Sequence, residues 1–271
     1  MAIDVESSLP RPGLFGPALS LCQRELVRFL RQRHRIIGAL LTPIVFWLLI
    51  GGGMGRSFQT ASPGGDSYIR YFFPGTILMI LLFTAIFSTI SVIEDRREGF
   101  LQSVLVAPVA RMAIVLGKIL GATLLAVGQA VLFLLLAPTV GIHFSLESFI
   151  LLLAIITIVG FALSALGFCI AWRMTSTQGF HAIMNLFLLP LWFLSGALFP
   201  TNTARGGLGI VMRINPLSYG LDAIRTTLYL HDPGTSIGYL AVCFLISIIA
   251  AIGLFIAAWM IARSTIEVNL H

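Results

Sequence analysis

Charge is scarce in this chain. Of its 271 residues, 10% are Asp, Glu, Lys or Arg, whereas soluble domains carry about 25%. Aliphatic, aromatic and sulfur-bearing residues make up 58%. A soluble globule of this length cannot hide so much apolar surface, which excludes a soluble enzyme. Disorder requires low hydrophobicity and high charge, so the same figures exclude it. Lysine is nearly missing: Lys118 stands alone among arginines. Cysteine is sparse too. Cys22, Cys169 and Cys243 lie far apart in neither a metal spacing nor a disulfide framework, and the last two sit in apolar runs as small core residues.

Several catalytic signatures are missing as well. Gly117-Lys118 is followed by Ile119, and Met112 stands where the P-loop needs its first glycine. The phosphate cradle and magnesium-binding hydroxyl of that loop are therefore lacking. Ser195-Gly196 has no upstream glycine to make a nucleophile elbow, and no H-E-x-x-H occurs. The five histidines are dispersed, so no metal site is expected. No convergent polar cluster speaks for an integral-membrane lipid enzyme. The long apolar runs contain neither Asp nor Glu, which argues against a carboxylate-driven carrier. Residues 1–20 carry Asp4, Glu6 and three prolines and do not read as a secretory signal.

What is present is a set of uncharged intervals long enough to cross a bilayer, which takes about 20 apolar residues. They are 36–55, 71–93, 119–146, 148–172, 174–204 and 233–262. Six spans are expected, in an all-α integral membrane protein with a leading segment 1–35, a transmembrane domain 36–262 and a tail 263–271. With the N-terminus inside, twelve basic residues fall on inner segments and five on outer ones. The positive-inside rule then places both termini in the cytoplasm. The net charge of +6 is thereby read as membrane topology, with no nucleic-acid partner.

Three shorter pieces carry pattern. In 18–35, Leu19, Cys22, Leu26, Phe29 and Leu30 follow helical spacing, while Arg24, Arg28, Arg31 and Arg35 form a second stripe. This predicts an interfacial helix whose arginines meet anionic lipid or a partner protein. The segment 94–118 opens with Glu94, Asp95, Arg96, Arg97, Glu98, Gly99 and Phe100, then runs through Gln102 to Pro108. It reads either as a solvated span end or as a short helix under the membrane that docks against something. In 215–225, Asn215 and Pro216 make a helix start. Tyr219 follows, and Asp222 and Arg225 stand three apart and can pair. A short amphipathic or re-entrant helix is expected there.

Within the spans, His181 and Asn185 share a face. They either line a path or make an interhelical hydrogen bond, as does Gln129. Phe83, Phe87, Phe180, Phe187, Trp192 and Phe193 either line a hydrophobic route or pack. Gly51/Gly55, Gly117/Gly121 and Gly167/Ala171 are spaced for close helix contact.

Together these pieces resemble the ABC-2 type permeases, the membrane subunits of ATP-binding-cassette exporters for drugs, lipids, nodulation factors and polysaccharides. The loop Glu94, Arg96, Arg97, Glu98, Gly99, Phe100, Gln102, Leu105, Pro108, Gly117 and Lys118 is similar to that family's loop signature. Asn215–Arg225 is similar to its outer motif. Phe100 and Gln102 depart from the Thr and Glu often found there. The resemblance implies a half-transporter without catalysis of its own, paired with a second copy or a related permease. ATP and magnesium would be held by a separate ATPase subunit gripping the 94–108 loop. Substrate would pass between two copies along spans 2 and 5 and leave the cytoplasm. The competing reading is a channel or secondary carrier that works alone; such a protein needs no docking helix. Replacing Glu94, Arg96, Arg97 and Glu98 together by alanine is expected to abolish co-purification with the ATPase while leaving insertion intact.

Overall fold

The computed structural model describes residues 13–53, 68–106, 109–199, 206–230 and 236–267. They form helices, with no strand among the described residues. In chain order these are α1 (Phe15–Arg31), α2 (Arg33–Gly53), α3 (Tyr68–Ser88), α4 (Ile90–Arg97), α5 (Phe100–Val106), α6 (Arg111–Leu134), α7 (Leu146–Arg173), α8 (Thr177–Phe193), α9 (Gly207–Ile214), α10 (Pro216–Leu228) and α11 (Ile237–Glu267). A 3-10 turn, Ala137–Val140, follows α6.

Local chemistry sets several of the boundaries. Ser145 caps α7 by accepting from the Ser148 N–H at 3.2 Å, and Ser176 caps α8 by accepting from Gly179 at 3.2 Å. Asn215 caps α10 by accepting from Leu217 at 3.0 Å, with Pro216 in the first turn. Each cap satisfies an amide that the helix itself leaves unpaired.

Five helices are long and apolar enough to cross a membrane: Ile36–Gly53, Tyr68–Arg97 (α3 running into α4), Arg111–Leu134, Leu146–Arg173 and Ile237–Ser264. The chain is an integral, multi-pass membrane protein. The expected fifth span, 174–204, instead holds the 17-residue helix α8. Its capped start takes up the first residues of the interval. Its end is a turn in which Ser195 donates to the Trp192 carbonyl at 2.6 Å and Gly196 adopts φ +88°. At 1.5 Å per residue α8 rises about 25 Å, short of a core of about 30 Å.

The third span is also shifted. It was expected at 119–146, but α6 begins at Arg111 and ends at Leu134. Lys118 reads as a loop residue in sequence because a lysine is costly inside a span; here it is buried within the helix and paired. At the end of the chain, α11 runs to Glu267, into the segment expected as a tail.

α3 is the central post, buried along nearly its whole length, with α2, α6, α7 and α8 packed around it. Aromatic rings wedge the layer together: Trp47 meets Phe73 and Phe133 edge-on at 5.6 and 5.4 Å. α1 lies along α6, and α11 closes the other side against α7 and α10.

Candidate functional site

The charges cluster at one end of the bundle, where α1, α4 and α6 meet. Asp95 on α4 has no exposed surface. It accepts from Arg24 through both carboxylate oxygens at 2.8 Å, from Arg28 at 2.9 Å, and from Lys118 on α6. Lys118 also reaches Glu25 at 2.6 Å and the Ser91 hydroxyl at 3.3 Å. Arg28 contacts Glu94 at 2.8 Å and Glu98 at 3.5 Å. Hydrogen bonding to Asp95 holds the Arg24 guanidinium above its ordinary range, against the opposing effect of burial. Its plane lies 3.7 Å from the Phe100 ring centre. Interior charges are tolerated only when paired and hydrogen-bonded, and here each has several partners.

The two arginines of the expected docking loop are tied back to the bundle, Arg96 half-buried and Arg97 exposed. Arg96 donates to the carbonyls of Trp172 at 2.5 Å and Met174 at 3.3 Å, with the Trp172 ring 5.3 Å away. Arg97 donates to the Thr175 carbonyl at 2.9 Å. Both tie α4 to the connection between α7 and α8. Gly99, at φ +77°, then breaks the chain between α4 and α5. Only glycine adopts this backbone without strain. Beyond it, Gln102, Ser103 and Val106 of α5 are exposed, as is Glu98 before it. Pro108 and the side chain of Arg35 lie outside the described residues; Arg31 is exposed.

The other end carries the 215–225 motif. The Asn215 side-chain amide donates to the Leu191 carbonyl at 3.0 Å, and Ser218 donates to Met212 at 2.6 Å. Tyr219 donates to the Arg213 carbonyl at 3.0 Å. Arg225 pairs with Asp222 at 3.6 Å, donates to the Gly196 carbonyl at 3.3 Å and lies over the Tyr71 ring at 4.6 Å. Tyr239 of α11 donates to Asp222 at 2.7 Å. Burial pushes the Asp222 carboxyl up, and the Tyr239 hydroxyl and Arg225 pull it back. The motif latches α10 onto the end of α8 and the start of α11.

Between these two ends, α1, α2, α3, α4 and α8 line a cavity of about 570 Å³. Phe83, Phe87 and His181 line it, with the Phe87 and His181 rings 5.0 Å apart. Asn185 and Phe187 are exposed on α8, on the side facing away from the core. Trp192 departs from the expected path: it is fully buried and donates to the Gly75 carbonyl at 2.8 Å. Its indole N–H needed a partner inside the bundle, and a core position supplied one. Gln129 likewise faces inward, accepting from Thr84 at 2.6 Å across two helices.

Sequence reasoning missed Glu25 and treated Lys118 as a loop residue. The available signal was an acid inside a basic stripe and a lysine without an adjacent loop. Among the described residues no group of His, Cys, Asp and Glu is placed to hold a metal.

The family model for ABC-2 type transporters matches residues 18–229. The chain is 27% identical to a putative transport permease, ycf38, of Cyanophora paradoxa, across 78% of this chain and 73% of that one. It is 28% identical to Nodulation protein J of Rhizobium meliloti (strain 1021), across 70% and 72% of the two chains. The ycf38 permease of Porphyra purpurea is 24% identical, across 76% and 72%.

Proposed function

Because this chain belongs to the ABC-2 type transporter family, we propose that it is the membrane permease of an exporter driven by a separate ATP-binding-cassette ATPase. In this reading ATP and magnesium belong to that partner. The permease moves a hydrophobic or amphipathic molecule outward, with both termini cytoplasmic and the chain in a bacterial inner membrane. Drugs, lipids and lipid-linked glycans are its substrate classes. α8, with its following turn, serves as the fifth of six crossings.

The observation that carries the reading is the build of the α4–α5 elbow. α4 is fastened to α1 and α6 through Asp95, and to the α7–α8 connection through Arg96 and Arg97. A push on α5 therefore reaches four packed helices as a rigid-body displacement. Among the described residues, the surface left for a motor to grip is Arg97, Glu98, Gln102, Ser103 and Val106, the last 89% exposed. A stand-alone channel gains nothing from such an elbow.

Replacing Glu94, Arg96, Arg97 and Glu98 together mixes this contact with interior ties. The cleaner variant is Gln102→Arg with Val106→Asp. It should lose co-purification with the ATPase partner while its thermal midpoint in detergent stays at the parent value. Undiminished co-purification would refute docking at α5.

A second copy is the partner that the exposed face of α8 suits. α8 exposes His181, Asn185, Leu186 and Phe187, and polar groups on a lipid-facing helix gain about 1 kcal/mol by hydrogen bonding to another helix. A related permease would fit the same face. The exposed apolar residues of α1, Phe15, Leu19 and Leu30, suit the inner leaflet, with Arg31 at its headgroups.

A further inference from the structure

We propose that the 570 Å³ cavity binds a single-chain amphiphile whose head is uncharged or cationic and rich in hydrogen-bond donors. The inference rests on the transport reading and gives the class of molecule taken up at this end of the bundle. The cavity has the size of a ligand site, about 300–1,000 Å³, and it is chemically two-ended. Met79 and Phe83 supply an apolar end, Phe87 lies between, and Ser88, Glu94 and His181 supply a polar end. From Met79 to Glu94 the helices rise roughly 20 Å, which suits a chain with a head rather than a compact solute.

One buried polar group at that end, Ser88, lacks the partner that a buried group requires. The Ser88 side chain is 8% exposed, yet its hydroxyl has no hydrogen-bond partner. Thr84, one turn away, is already committed to Gln129. Glu94 is half-buried and ion-paired with Arg28 at 2.8 Å, so it brings negative charge to that end. A bound head rich in donors would supply the partner that Ser88 lacks and share the Glu94 carboxylate with Arg28.

Charge selects the head. Among the described residues that line it, Glu94 is the charged one, with no lysine or arginine beside it. Behind it Arg24, Arg28 and Lys118 face Glu25, Glu94, Asp95 and Glu98. Among the described residues of this cluster, four carboxylates outnumber three cations, which favours an uncharged or cationic head over an anion. The N-terminus of α8, which also borders the cavity, is capped by Ser176.

The test uses the full chain in phosphatidylcholine nanodiscs, without the ATPase. The probe is dodecyl glucoside carrying a diazirine at its chain end. Adducts located by mass spectrometry should fall on Met79–Phe87 of α3. Excess dodecyl glucoside or dodecylamine should lower them at least about fivefold, the worth of one or two hydrogen bonds, and dodecyl phosphate should not. Ser88→Ala with His181→Ala should weaken labelling by a similar factor, while Ile249→Ala on the exposed face of α11 leaves it unchanged. Adducts spread evenly over α3 and α11, or strongest competition by dodecyl phosphate, would overturn the proposal. The competition arm decides on the parent chain alone, should the double variant not fold. A chain that binds the probe but never recruits an ATPase sinks the exporter reading and leaves the site standing; the reverse result sinks only the site.

Discussion

Asp95 and Lys118 show what a single pair of residues does in this bundle. Their side chains are 0% and 3% exposed, and three helices converge on them. Removing one member of a buried ionic group strands the others and costs about 3–5 kcal/mol, whereas replacing the group by apolar residues often costs little. Asp95→Asn should therefore lower the thermal midpoint in detergent sharply. Asp95→Leu with Lys118→Met should lose less than the two single changes added together. A parent-like midpoint for Asp95→Asn would show that the cluster is not a structural tie. Glu25 escapes sequence inspection for a related reason: it sits among arginines in a helix that looks basic, and only the approach of α6 turns it into a counter-ion.

Helix α1 has three faces rather than the two that periodicity predicts. Ala18, Leu21, Cys22, Glu25 and Phe29 are buried. Phe15, Leu19 and Leu30 are exposed on an apolar stripe, and Arg24 and Arg28 turn toward the carboxylates of α4. The buried face depends on Gly117: a Cβ there would meet the Ala18 carbonyl oxygen at 2.7 Å and Leu21 Cβ at 2.8 Å. Backbone atoms cannot step aside, so Gly117→Ala should lever α1 away from α6. Faster proteolysis within residues 15–31 and a lower midpoint are the expected readouts. Gly128→Ala, where nothing lies within 4 Å, should be neutral or slightly stabilising through helix propensity. Equal behaviour of the two variants would remove the close-packing argument. The pair Gly117/Gly121 was visible as a spacing, but its partner, α1, about 95 residues upstream, was not.

At the scale of the whole molecule, α3 is wrapped by its neighbours while α2 and α11 leave Leu41, Leu48, Leu49, Leu245, Ile249 and Ile252 exposed. Lipid accounts for apolar side chains, but α8 exposes His181 and Asn185 as well. A second copy lying on α8 would give those groups partners. In a chain with Cys22, Cys169 and Cys243 replaced by alanine, Phe187→Cys should form a covalent dimer in membranes under mild oxidation, and Ile249→Cys should not. Absence of the Phe187→Cys dimer would exclude pairing along this face.

The membrane class, four of the spans to within a few residues, and the capped start of α10 follow from the chain read alone. Apolar run length, charge placement and the Asn215-Pro216 cap are local properties that need no partner. The third span, the short α8, the interior role of Arg96 and the burial of Trp192 were settled in three dimensions. Whether a charge ends a helix or lies within one depends on what faces it. Lys118 enters the bundle because Glu25 and Asp95 arrive from two other helices, a contact between distant residues that no window of sequence contains.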